Sequence, residues 1–153
     1  MLRESLETAI LRAQVRLLNP AVADFAIEQI SRLFASLVSQ LTAILRDTVP
    51  VRTGLMRRRV QSRNIGRTAS EISSTVRYAP YVRRYDQAMD NLERRATQEI
   101  RRGVIRYSLY EVVGNQIKPQ RRYVKTDKFI TVRRSGVRIV LRLRVPSRRD
   151  LLR

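Results

Sequence analysis

The chain contains no cysteine and no histidine. Disulfides, zinc centres of the usual kind, cysteine nucleophiles and every Ser–His or Cys–His dyad are excluded on that ground alone. Tryptophan is absent, and aromatic residues are limited to three Phe and six Tyr. The five glycines are scattered and form no phosphate-cradling loop. Long apolar runs are also missing. The longest stretch without a charge, Leu33 to Leu45, is 13 residues and includes Ser36, Ser39, Gln40 and Thr42; a membrane span needs about 20 apolar residues. The opening "MLRESLETAI" carries acids in its first turns, unlike a secretory signal. These absences lead us to expect a soluble, intracellular, non-enzymatic protein with no cofactor, no metal and no membrane partner.

Acids are scarce as well. Against 32 Lys and Arg stand 13 Asp and Glu, a net charge of +19 over 153 residues. The imbalance is confined to one part of the chain. Residues 1–48 hold five Arg and five acids, and the whole excess lies beyond them. Self-repulsion on this scale is costly unless a polyanion or an acidic partner lies nearby. The length suits a single domain with a modest core. We divide it into a helical arm (1–48), a sheet with a second helix (49–110), and a basic loop, hairpin and tail (111–153).

In the arm, Leu6, Ile10, Ala13 and Leu17 form one stripe of a helix over 4–18. Asn19 and Pro20 are then expected to interrupt it, Asn19 capping a new helix with Pro20 in its first turn. Ile30, Leu33, Phe34, Leu37, Val38, Leu41, Ile44 and Leu45 keep three- and four-residue spacings, predicting a helix over about 21–46. Its apolar face exceeds what a small sheet covers, so Leu33, Leu37, Leu41 and Ile44 are expected at a subunit interface; a core helix lying across the protein's own sheet is the alternative, and both can hold at once. "TVPVRTG" ends it, Val49 being pushed from the helical region by Pro50, with Thr53 placed to cap a short segment from Gly54 to Arg58.

Beyond this hinge the period becomes two. Val60–Ile65 and the alternating Ile72, Ser74, Val76 and Tyr78 predict paired strands, ended by Pro80. Tyr85–Tyr107 predicts a second helix, with Leu92, Ala96, Ile100 and Val104 on one face and Asp90 spaced to pair with Arg94. "EVVGNQIKPQRR" reads as a loop. Phe129–Val132 and Val137–Val145 predict a hairpin around "RRSG". There Val137, Ile139, Leu141, Leu143 and Val145 face one way and Arg138, Arg142 and Arg144 the other. "SRRDLLR" reads as a basic tail. The fold class expected is α+β, with two helices on a small antiparallel sheet and a C-terminal β-hairpin.

Little of this points to chemistry. Asp86, Asp90 and Glu93 share a helix face and could hold a hard cation, but Arg83, Arg84, Arg94 and Arg95 flank them, so ion pairs are the expected use. No helix-turn-helix or RNA-binding signature stands out. Alternating arginines along a strand make a cationic surface without base readout.

The hinge "PVRTGLMRRRV" (Pro50–Val60), followed by "TVRYAPYV" (Thr75–Val82), resembles the head–tail joining or tail-completion proteins of the tailed-bacteriophage neck. Pro50, Val51, Thr53, Gly54, Tyr78, Ala79, Tyr81 and Val82 match the family pattern, and the order of elements agrees over about 20–105. Met56 stands where Leu is usual. The acidic residue and Phe-Gly-Thr that often follow Tyr-Val are replaced by Arg83, Arg84 and Tyr85, and the C-terminal hairpin departs from the pattern. The resemblance implies a virion protein assembled in the host cytoplasm as a ring of six or twelve copies. It would join portal or adaptor to tail terminator or tube, around a channel through which viral DNA passes. Arg138, Arg142 and Arg144 would then line the channel or dock an acidic neighbouring ring, unless they are merely solvated. A small basic nucleic-acid-binding protein outside virions is the alternative; a toxin-like nuclease fits less well, for want of His and a separate acidic site.

Overall fold

The computed structural model describes residues 5–49 and 54–153. The order of elements is α1 (Leu6–Thr48), α2 (Leu55–Arg58), β1 (Val60–Gly66), β2 (Ala69–Ser74), α3 (Arg83–Arg102), β3 (Val104–Val113), β4 (Gln116–Lys125), β5 (Ile130–Ser135), β6 (Arg138–Leu143) and α4 (Arg148–Leu152), with short 3-10 turns at Ala79–Tyr81 and Thr126–Lys128. The protein is α+β, as its periodicities predict. It divides into two compact units, one of residues 1–30, 104–124 and 146–153, the other of 31–103 and 125–145.

The expected break at Asn19–Pro20 does not occur: α1 runs through Pro20 as one helix. A proline inside a helix forfeits a hydrogen bond and costs about 3 kcal/mol in isolation. Continuity keeps Leu11 and Val15 in line with the buried Ala23, Ala26 and Ile30. Asn19 does not cap; its carboxamide bonds the backbone of Tyr110.

In the first unit β3 and β4 form a two-stranded hairpin turned at Gly114, whose φ is +61°. Three expectations are corrected here. The helix after Tyr85 stops at Arg102, so Val104 and Tyr107 lie on a strand, and the supposed loop over 111–122 is most of a β-ribbon. The supposed tail is the capped helix α4: Ser147 Oγ accepts from the Asp150 N–H and the Asp150 carboxylate accepts from the Ser147 N–H. Leu151 is buried, its carbonyl accepts from the Tyr107 hydroxyl at 3.0 Å, and Arg148 pairs bidentately with Asp24.

In the second unit the sheet is antiparallel in the order β1-β2-β6-β5. Ile72, Ile139, Leu141 and Leu143 are buried, as are Tyr85, Met89, Leu92, Ala96 and Ile100 of α3 and Phe34, Leu37, Leu41 and Leu45 of α1. Strand β2 ends at Ser74, four residues before the expected Tyr78, because the chain turns into the 3-10 turn of Ala79–Tyr81. The buried Tyr85 hydroxyl accepts from the Ser74 N–H and donates to the Val137 carbonyl, tying α3 to two strand ends. Burial pushes its phenol pKa up.

Candidate polyanion-binding face

Side chains alternate across a strand, so strand register decides which charges share a face. Arg63 lies opposite Glu71, Glu71 opposite Val140, and Val140 opposite Arg133. The neighbouring rows place Arg138 beside Ser73 and Ser135, and Arg142 beside Ala69 and Thr131. The face turned away from the apolar core thus carries Arg63, Arg133, Arg138 and Arg142, all exposed, and Arg144 continues the β6 series just past the strand. Glu71 is the only acid in these four strands.

Glu71 is buried, and its carboxylate accepts from two arginines, Arg63 at 2.8 Å and Arg138 at 3.2 Å. Arg138 is therefore occupied internally. Arg142 and Arg144 are brought together instead, lining a cleft of about 550 Å³ with Lys128, Phe129, Thr68 and Thr131. The Arg144 guanidinium lies 4.7 Å from the Phe129 ring centroid and donates to the Lys128 carbonyl at 3.2 Å, which fixes its position. The guanidinium groups of Arg133 and Arg142 make no hydrogen bond or ion pair with another described residue. Three cations, two hydroxyls and no carboxylate make this cleft suited to an oxyanion.

The acidic trio is used elsewhere. The Arg134 guanidinium pairs with both Asp86 and Asp90, and its backbone N–H donates to Glu93 Oε2 at 2.6 Å. Asp90 is thus taken by a strand arginine and not by Arg94. Burial disfavours the Arg134 charge, but the bonds and fields of Asp86 and Asp90 outweigh it and raise its pKa. Because β5 is an edge strand, Glu93 also covers an otherwise open ladder position. Among the described residues no group of three or more acids is placed to hold a metal.

The hinge motif is seen in part, Pro50, Val51 and Thr53 lying outside the described residues. Gly54 has φ +70° and stands at the N-cap of α2. Tyr78 precedes the 3-10 turn, Ala79 is buried within it, Tyr81 is 88% exposed, and Val82 stands at the N-cap of α3. Of the expected interface residues, Leu37 and Leu41 are consumed by the protein's own core, while Leu33 and Ile44 keep accessible surface. The larger apolar exposure on α1 lies earlier: Leu6 is 78%, Leu17 77% and Phe25 58% exposed.

Sequence reasoning missed Arg63 and Arg133, although alternation in "VQSRNI" and "TVRRS" carried the signal. It also missed Arg134, whose role depends on which edge α3 covers. Comparison with protein-family models, curated proteins and solved structures gave no match.

Proposed function

We propose that this is a non-catalytic assembly protein of the tailed-phage neck, forming a closed ring between head and tail. Its cationic sheet face would meet a polyanion, either the genome in the channel or the acidic rim of an adjacent ring. The observation that carries the reading is the cleft where Arg142, Arg144 and Lys128 converge with no carboxylate to neutralise them. The neck assignment itself rests on the likeness of Pro50–Val60 and Thr75–Val82 to that family's motif. A ring repeats the face in every copy, and closed rings arise from head-to-tail interfaces whose rotation closes. The exposed α1 residues Leu6, Leu17 and Phe25 offer an apolar surface for a second copy. Residues 1–48 carry no net charge, so this is where two such cationic chains approach with least repulsion.

Charge reversal of Arg133, Arg142 and Arg144 to Glu, followed by particle assembly, tests the reading. Assembled particles that leak or fail to eject DNA support the channel role, and tailless heads with free tails support docking. Fully infectious particles overturn both. The second reading, a small basic nucleic-acid-binding protein outside virions, is favoured by the same arginines, since phosphate contact needs no virion. Portal, capsid and tail-tube genes beside this one decide for the neck.

A further inference from the structure

The β3–β4 ribbon carries a second cationic surface, in the other compact unit. A cleft of about 530 Å³ is lined by Arg106, Tyr107 and Ser108 of β3 and by Arg121, Arg122 and Tyr123 of β4. These six residues include three arginines, two tyrosines and no acid. Arg106 and Arg121 are exposed, and Tyr123 is 67% exposed. Tyr107 is fixed by its hydroxyl bond to the Leu151 carbonyl, and Arg122 donates to Gln120 Oε1 at 3.3 Å. Among the described residues the Arg106 and Arg121 guanidinium groups make no hydrogen bond or ion pair, and the Tyr123 ring in the same cleft is open.

We infer that the ribbon binds single-stranded nucleic acid, with Arg106 and Arg121 on successive phosphates and a base stacked on Tyr123. An exposed aromatic ring between arginines is the arrangement that holds unpaired bases, since every base has a π-face and every linkage a charge. A duplex keeps its bases stacked on each other and gains nothing from Tyr123. An acidic peptide would match the arginines but leave the ring unused. The inference is independent of the sheet face and of the neck assignment.

Fluorescence anisotropy of the full chain with a labelled thymidine oligomer of about 20 nucleotides, and with a duplex of equal length, tests it across a range of salt. Tyr123→Ala is expected to weaken single-strand binding about tenfold and leave duplex binding unchanged, while Tyr123→Phe binds as the parent does. Arg106→Glu with Arg121→Glu is expected to weaken binding further and flatten its salt dependence. Arg133→Glu with Arg142→Glu and Arg144→Glu reports on the sheet face separately and should leave the Tyr123 effect intact. Unchanged single-strand affinity in Tyr123→Ala, or an equal loss for duplex, overturns the inference.

Discussion

The Asn19 carboxamide pairs with the backbone of Tyr110, its Nδ2 donating to the carbonyl at 2.9 Å and its Oδ1 accepting from the N–H at 2.8 Å. A helix side chain thereby serves a residue of β3 as a neighbouring strand would. Asn19→Ala leaves both groups of Tyr110 without that partner and should cost about 1–2 kcal/mol. Asn19→Asp should cost more, since it replaces the donor with a charge facing a carbonyl. Amide exchange at Tyr110, with a thermal midpoint lowered by about 2–4 °C per kcal/mol, checks both.

Gly103 is required by a neighbour and not by its own dihedrals. A Cβ there would lie 2.2 Å from Thr126 Oγ1, which donates to the Ile100 carbonyl at 2.6 Å in a fully buried site. Gly103→Ala should destabilise the protein by about 1–3 kcal/mol. Thr126→Ala should also destabilise it, by loss of the bond. The double variant should be less impaired than the two costs combined, because the clash disappears with the hydroxyl. Additive denaturation energies would show that the close approach has no energetic consequence.

What was legible in the sequence follows from periodicity. The apolar face of α3 over Leu92–Ile100 and the alternation of β6 up to Leu143 are local patterns, and both appear as expected, whereas Val145 lies past the end of the strand and is exposed. The hairpin over 104–125 was not legible: Val104 extends the apolar spacing of α3, and Gly103 looks like a weak helix end until Thr126 is beside it. Pro20 misled because its local penalty is outweighed by contacts distant in sequence. For the candidate face, the β6 arginines were legible, but the pairing of Arg138 with Glu71 was not, since it depends on β2 lying next to β6.

The ion pair of Asp24 and Arg148 sets a pH dependence for the docking of α4. The hydrogen bond from Arg148 holds the Asp24 carboxyl below its ordinary value of 3.8. A lowered folded value means that the contribution is present above the unfolded pKa and is lost as pH falls through the folded one. Proteolytic release of the C-terminal segment should therefore accelerate below about pH 4. In Asp24→Asn it should be faster at neutral pH and lack that acid step. Identical pH profiles for the two proteins would contradict this.

Gly54 sits at φ +70°, and no described residue comes within 4 Å of where a Cβ would stand. The cost of substitution is then conformational, about 1–2 kcal/mol for an ordinary residue in the left-handed region. Gly54→Val should lose more stability than Gly54→Asn, because Asn tolerates this region better. Equal midpoints in urea would show that the hinge relaxes without penalty.

Particles made from the genome that carries this gene provide the most direct measurement. Electron microscopy of such particles, with the protein tagged, is expected to place it as a six- or twelvefold ring between head and tail, with Arg142 and Arg144 on the channel wall or on the surface meeting the next ring. Absence of the protein from the particles, or its location away from the head–tail junction, would contradict the account.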